Sequence, residues 1–502
     1  MTATSATDFS KYLPPGIYTE AVKGPQLAVN SSVPTAVGLF GTAVGFRTWV
    51  ESVKINADTA EDTPAVNRTL TKSGIDTSTI VVHDPNSGQV YAVGTDFTVE
   101  LVSGTIDTDD ATYAIARVID GGHIQVADTV QVAYQYTDST YYDPYIFYDY
   151  DDVRTAYGDP FDTTTGEVQS ELTLAAKFAL LNGAHRVVCV AVKPTTPGSP
   201  TTGDYGDALD KLRDQELVAI VCSCSGSTQM HALVQQHVDS QSSNRFERRA
   251  ILGMDGTTVA VASAQRILNA QTITDERVML VSPATFTYTS PELNNDVVLG
   301  GQYMAACLAG MTVAKSFAEP LTQKRITGWK AVTELQPEEQ KNLESENGLC
   351  VIEKSRLQNI RVRHGVTTDT TDLETREWSV IGQKDSLTFR LRDYLEAANL
   401  IGSPIYDYTL INVKASAEAA LQSLYRDQLL LDYTGLKVRQ LRSNPDVLEV
   451  TFTWRPSWPL NYIVVRFAIS LSTGDTTSVG STANAANLSS AFGGSENTLQ
   501  ST

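Results

Sequence analysis

The sequence predicts an α+β chain of several domains, on three observations. Short alternating strands broken by turn residues fill Thr79–Tyr136. Strand-like and helix-like segments alternate over Tyr141–Gln340, and amphipathic helices followed by long alternating strands occupy the C-terminal part ahead of a polar tail. At 502 residues the chain is several times the usual domain size and has the length to bury sizeable cores. A hydrophobic fraction of 42% with 19% charged residues is a globular composition.

The first β-rich segment is read from "TIVVH", "VYAVGTDFTVEL", "TYAIARVI" and "HIQVADTVQVAYQY", separated by the turn sequences "DPNSG" and "DGG". Strands at this spacing predict a small β-sandwich. After "YYDPYIFYDYDD" the rhythm changes. "ELTLAAKFALLNGA" places Leu172, Ala175, Ala176 and Ala179 on one helical face and stops at Asn182-Gly183. "HRVVCVAV", "LVAIVCSCS", "RRAILGMDG" and "RVMLVSPATF" are apolar strands with helical sequence between them, which predicts a layered α/β domain with a mainly parallel sheet. The uncharged run Val297–Ala314 approaches the length of a membrane span, but its Gly300, Gly301 and Gln302 and its single occurrence favour a buried helix.

In the C-terminal part Leu387, Leu391 and Leu395 recur at helical spacing, as do Ala417, Leu421 and Leu424, and both stripes are expected to be core faces. Two long strands follow. "DVLEVTFTWRP" carries Leu448, Val450, Phe452 and Trp454 on one face, and "NYIVVRFAISL" carries Ile463, Val465, Phe467, Ile469 and Leu471. Beyond Leu471 the Gly-, Ser-, Thr-, Ala- and Asn-rich sequence is expected to be a mobile tail.

Charge excludes some functions. With 38 basic and 58 acidic residues the formal net charge is −20, which disfavours binding to nucleic acid or to an anionic membrane. The excess is local: Phe46–Thr165 holds six basic and twenty acidic residues, a net of −14, whereas Val351–Asp475 holds fifteen of each. The acidic stretch is expected to face solvent and the balanced one to suit contact. Cys189, Cys222, Cys224, Cys307 and Cys350 show no framework spacing, so no disulfides are expected. "MTATSATDFSKYLPP" lacks the basic start and apolar core of a signal peptide.

No motif in the sequence carries a recognisable chemistry. There is no phosphate-binding G-x-x-x-x-G-K-[ST], "GLFGTAVG" lacks dinucleotide spacing, and no G-x-S-x-G elbow occurs. His231 and His237 lie six apart on a predicted helix and so diverge, where two metal ligands on one helical face need a spacing of three or four. Cys222 and Cys224 read as buried small hydrophobes and His364-Gly365 as a turn or loop. The pairs Asp109-Asp110 and Asp151-Asp152 lack a calcium-loop pattern and read as solvated faces. No catalytic, cofactor-binding or metal-ligating residue is assigned.

The ends carry the remaining signal. In "KYLPPGIYTEAVKGP" the strand-formers Ile17, Tyr18 and Val22 are bracketed by Pro14, Pro15, Gly16, Gly24 and Pro25, too short a run to fold alone. An exposed sheet edge is a template for such an arm. Roughly 20 extended residues span on the order of 65 Å, enough to reach another molecule. The arm either pairs with a neighbouring subunit or folds back on its own domain.

"YLPPGIYTEAV", "VPTAVGLFGTAVG", "LVSPATF" before "GGQYMAACLAGM", "EPLTQKRITGW", "ENGLCVIEKSRLQNIRVRHGVTTD" and "VTFTWRPSWPLNYIVVRFAIS", in that order, resemble successive landmarks of the contractile tail sheath family of bacteriophages. The resemblance implies an α+β multidomain fold. It comprises a β-sandwich insertion at 46–140, a subtilisin-like α/β domain without protease residues at 141–345, and an α+β assembly domain near the tail tube built from 25–45 and 346–475. Extended N- and C-terminal arms complete it, the first being residues 1–24, with a flexible tail at 476–502. It implies a structural subunit, not an enzyme, that needs no cofactor. Such subunits stack as hexameric rings around a tail tube and contract to drive the tube through the host envelope. Arms built on Pro15, Gly16, Ile17, Tyr18, Val22, Tyr462, Ile463, Val465, Phe467 and Ile469 complete sheets in neighbouring copies.

Partners are then further copies, the tube protein, and baseplate and tail terminator proteins, without nucleic acid or membrane. The site is the virion tail, assembled in the host cytoplasm. The acidic β-domain is expected outermost. The helix Ser416–Leu430 is expected near the tube, with Lys414 and Arg426 as tube-facing candidates. Three alternatives stand beside this: the sheath of a phage-derived injection device or bacteriocin, a hydrolase on the α/β domain, and a surface adhesin, which calls for a secretion signal.

Overall fold

The run Ala36–Gly41 is apolar or glycine throughout and so has no face to offer water, and such a strand is stable only with cover on both sides. A computed structural model of the chain describes residues 34–55, 68–106, 108–137, 139–196, 199–314 and 319–467 and places this strand inside an eight-stranded sheet. The strand order is Ile360–Val362, Leu349–Lys354, Val278–Ser282, Arg249–Gly253, Val218–Ser223, Ala36–Gly41, Val187–Ala191 and Tyr145–Phe147. The six inner strands run parallel and the outermost strand at each side runs antiparallel.

Helices cover both faces. Residues of Glu171–Leu181 and Gly301–Val313 join Val37, Leu39, Cys189 and Ile220 in one core. Residues of Thr202–Asp210, Thr228–Ser243 and Ser263–Ile273 join Phe40, Val188, Val221 and Leu252 in the other. The run that approached membrane-span length divides into a strand, Asn295–Gly300, and the helix Gly301–Val313, nearly all of it buried. No helix among the described residues is long and apolar enough to cross a membrane. Small residues let the buried helix approach its neighbour: a Cβ at Gly310 would lie 2.1 Å from the Ala179 carbonyl oxygen.

The parallel sheet corrects two expected boundaries. Residues 25–45 and 346–475 were expected to form an assembly domain apart from 141–345. Instead Ala36–Gly41 sits near the middle of the α/β sheet, and Leu349–Lys354 and Ile360–Val362 extend it. The physical reason is the two-sided burial of Ala36–Gly41 and Leu349–Ile352, which only the interior of a covered sheet supplies.

Between Ala36–Gly41 and Tyr145–Phe147 lie two antiparallel sheets. One holds Arg47–Lys54, Thr129–Tyr136, Ile75–His83 and Val90–Tyr91 in that order, and the other pairs Phe97–Ser103 with Thr112–Arg117. They share one core, which includes Val53, Ile80, Val82, Phe97, Ile115, Val132 and Tyr134. The strand Arg47–Lys54 went unread in the sequence because its "RTWVESVK" buries only Val53 and so lacks a clean alternation. Arg47 holds the base of this region. Its guanidinium donates to Thr140 Oγ1 at 3.1 Å, the Thr140 carbonyl at 3.0 Å and Tyr145 Oη at 2.8 Å, and stacks 4.0 Å from the Tyr145 ring centroid.

Two long helices, Trp378–Ala397 and Asp407–Arg426, carry the chain into an antiparallel hairpin of Leu430–Gln440 and Leu448–Pro456. The second helix was expected at Ser416–Leu430. It begins nine residues earlier, where Tyr406 and Thr409 form a capping box, and it stops at Arg426 because Gln428 takes a positive φ of 59° and Leu430 already starts a strand. The described residues up to Pro459 form one compact unit, and those from Leu460 belong to a second.

Candidate assembly surface

Leu387, Leu421, Leu424 and Leu430 form a small core of their own, flanked by half-buried Leu391, Tyr433, Leu436, Phe452 and Trp454. It is separate from both cores of the eight-stranded sheet. Helix Trp378–Ala397 bridges them. Its first turn is in the body, where Arg249 lies 4.3 Å from the Trp378 ring centroid and donates to the Trp378 carbonyl at 2.9 Å. Its middle turn is tied by Asp385, which is 3.0 Å from Arg277 and 3.5 Å from Arg249. Burial pushes the Asp385 carboxyl up and the Arg249 guanidinium down to about 10. Farther along, Arg392 grips Glu247 with two hydrogen bonds of 3.0 and 2.7 Å.

The hairpin is a two-stranded sheet with both outer edges unoccupied by any strand among the described residues. One face packs Tyr433, Leu436, Phe452 and Trp454 on the helices, while Thr434, Lys437, Thr451, Thr453 and Arg455 face outward. A bulge interrupts the ladder between Thr434 and Lys437, where Gly435 takes a φ of +71°. A two-stranded sheet is marginal alone and leans here on its helices, so added strands would extend a supported template.

The structure separates what the sequence grouped. Of the strand expected over "NYIVVRFAISL", the described part is not formed: residues 461–467 are assigned to no strand. Tyr462, Ile463, Val465 and Phe467 are exposed at 74 to 76%, and Leu460 and Val464 at 78%. The partner of Leu448–Pro456 is instead Leu430–Gln440. Pro456 and Pro459 end the ladder before Tyr462 is reached. Pro15, Gly16, Ile17, Tyr18, Val22 and Ile469 lie outside the described residues, as does the tail at 476–502.

Lys414 and Arg426 are both exposed on the side of helix Asp407–Arg426 that also shows Tyr408, Ile411 and Tyr425. The opposite side buries Val413, Ala417, Ala420, Leu421 and Leu424, which includes the stripe Ala417, Leu421 and Leu424 that helical spacing predicted. Sequence reasoning missed Leu430–Gln440. Its signal was available as "LLDYTGLKVRQ", a turn at "SNPD" and "LEVTFTWRP", which is the pattern of a hairpin.

The α/β domain offers little to a hydrolase. Buried His231 lies 3.2 Å from the Gly253 carbonyl oxygen, buried His237 3.1 Å from Arg248, and His364 2.9 Å from Glu377. Burial lowers His231 to about 4, and burial with the Arg248 charge lowers His237 to about 3, so both stay neutral at neutral pH and are poor bases. The five cysteines are free and buried, and burial pushes the thiols of Cys307 and Cys350 up to about 12. Among the described residues no group of three or more His, Cys, Asp or Glu could hold a metal.

No family model matches the chain. A tail sheath protein of Mycobacterium phage Bxz1 is 44% identical over 574 aligned residues, covering 94% of this chain and 98% of that protein. The chain belongs to the tail sheath protein family. Solved sheaths share the fold at low identity. The contracted helical sheath of the anti-feeding prophage superposes with a TM-score of 0.50 and 14% identity, covering 65% of this sheath chain and 88% of that one. The contracted PVC sheath complex, from an extracellular contractile injection system, gives 0.51 and 13%, covering 92% and 99%. A mixed α/β chain of several parts is thus the sheath fold.

Proposed function

We propose that this sheath chain polymerises around a tail tube as stacked hexameric rings and contracts to drive the tube through the host envelope, its copies linked by exchanged strands. The observation that carries this is the two-edged hairpin Leu430–Gln440 and Leu448–Pro456, followed by an exposed segment of strand-like composition at Tyr462–Phe467. Ile17, Tyr18 and Val22 supply a second arm, with Pro15 and Gly16 setting its start and Ile469 extending the C-terminal one. Main-chain hydrogen bonds hold such links while rigid bodies rotate and slide past one another. A small gain per subunit becomes large over many copies, so an extended sheath is a kinetically trapped store.

The region 46–140 is then a sandwich insertion carried outermost with its acidic excess, and the eight-stranded body a subtilisin-like fold kept for structure without catalysis. Lys414 and Arg426 face the tube. Baseplate and terminator proteins bound the assembly, which forms in the host cytoplasm without nucleic acid or membrane. The sheath of a phage tail is favoured over that of an injection device by the 44% identity to a phage protein, against 13 to 14% for the injection-system structures.

Electron microscopy of the full chain beside a variant lacking the residues before Gly24 tests the linkage. Tubes from the first and dispersed subunits from the second are expected, and tubes from both would remove the N-terminal arm from the mechanism. Reversing charge with Lys414→Glu and Arg426→Glu is expected to weaken tube binding and spare self-assembly. Equal loss of both would overturn the tube-facing assignment.

A further inference from the structure

The hairpin strand ends in Pro456-Ser457-Trp458-Pro459, three residues ahead of the second compact unit as counted from Ser457 to Leu460. Proline has no N–H, so within this stretch only Ser457 and Trp458 keep main-chain donors and the ladder cannot run on. At that point a side chain takes over. The Ser457 N–H donates to Gln383 Oε1 at 2.7 Å, and Gln383 Nε2 donates to the Ser457 carbonyl at 2.8 Å. One carboxamide satisfies both main-chain groups of one residue, as a neighbouring strand would.

Gln383 is 2% exposed and sits in helix Trp378–Ala397, two residues from Asp385. That carboxylate is held by Arg249 of the sheet and by Arg277 in the turn just before strand Val278–Ser282. The chain from Ser457 is thereby tied through one turn of helix to the rigid body.

We propose that Gln383 is a positioning residue for sheath assembly, fixing the main chain at Ser457 so that the segment from Leu460 starts from a defined point. The inference rests on the strand-exchange reading of that segment. A tethered start restricts where an arm can search, which lowers the ordering cost when it adds to another copy's sheet. The last ladder pair is Leu430 with Pro456, where proline donates nothing.

The test uses the full chain carrying Gln383→Met, which keeps length and bulk and removes both hydrogen bonds. Hydrogen exchange at Ser457 is expected to quicken by about tenfold. The concentration needed for tube formation is expected to rise by a similar factor, while the melting temperature of the body moves by no more than about 4 °C. Gln383→Glu keeps the acceptor for the Ser457 N–H and is expected to fall between. A freed Ser457 with tubes forming at the original concentration overturns the proposal. So does a loss of assembly that the Glu variant does not partly restore. A chain truncated before Leu460 separates the two ideas: if it assembles normally the arm reading itself fails, and if it does not while Gln383→Met does, only the positioning role fails.

Discussion

Replacing Leu424 by alanine should disable the C-terminal lobe and leave the eight-stranded body intact. Leu424 is 1% exposed in a core whose other fully buried members are Leu387, Leu421 and Leu430. Truncating a buried leucine costs about 3 kcal/mol where the surroundings relax only in part. A lobe of about 80 residues holds about 4–12 kcal/mol at ordinary stability per residue, so the loss is a quarter of it or more. About 3 kcal/mol raises the population of opened lobe roughly a hundredfold. Hydrogen exchange reads this directly. Amides of Asp407–Arg426 and Leu430–Gln440 should lose about that much protection, while those of Val187–Ala191, Val218–Ser223 and Val278–Ser282 keep theirs. Tubes should be lost with the hairpin, because its edges are no longer presented. Equal loss of protection in the lobe and in the sheet would refute the reasoning, since it would mean that one cooperative unit spans both cores.

Two further outcomes concern carboxyl groups of the body, Glu344 in its interior and Asp239 at its surface. Glu344, fully buried, accepts from Ser263 Oγ at 2.6 Å, Arg266 Nη2 at 2.8 Å and Gln336 Nε2 at 3.0 Å. Burial alone would raise its pKa, but the hydrogen bonds from Ser263, Ser282 and Arg266 outweigh that and hold it below the usual value. Its contribution is therefore present above the unfolded value of 4.5 and is lost as pH falls through the lower folded value. Glu344→Gln should cost about 2–3 kcal/mol in urea melts at pH 7, less than the full cost of a broken buried pair because Glu334 still holds Arg266. The gap should narrow in acid, and a gap independent of pH would count against the charge as its source.

Asp239 behaves in the opposite sense: burial and the neighbouring Asp275 raise it to about 6. Its stabilising proton is fully bound below 3.8 and is lost as pH rises through 6. Asp239→Asn should raise stability above pH 7 by under about 1 kcal/mol, given its exposure, and do nothing near pH 4. A gain that persists in acid would point to another cause.

Much of the body was legible because its strands and helices announce themselves by burial. Val187–Ala191 is apolar at every pleat and Val218–Ser223 up to its last residue, and the helix Gly301–Val313 is buried nearly all round. The assembly surface was legible only in part. The stripe of Ala417, Leu421 and Leu424 was read correctly as core, yet the strand Leu430–Gln440 buries fully only its first residue and carries a bulge at Gly435, so its alternation is blurred. Gln383 gives no sequence signal at all, because a mid-helix glutamine is ordinarily a solvated residue and its partner lies 74 positions away.

By itself the sequence determined which faces turn from water, since periods of 2 and 3.6 record burial residue by residue, and it determined the family through landmarks spread along the chain. Only the tertiary structure decided what each buried face meets. Ala36–Gly41, near the start, lies between Val187–Ala191 and Val218–Ser223, and Leu448–Pro456 pairs backward with Leu430–Gln440 and not forward with Tyr462–Phe467. Hydrophobic pattern fixes the need for a partner, whereas its identity depends on chain connectivity, on prolines that end a ladder, and on which cores close around the same helix.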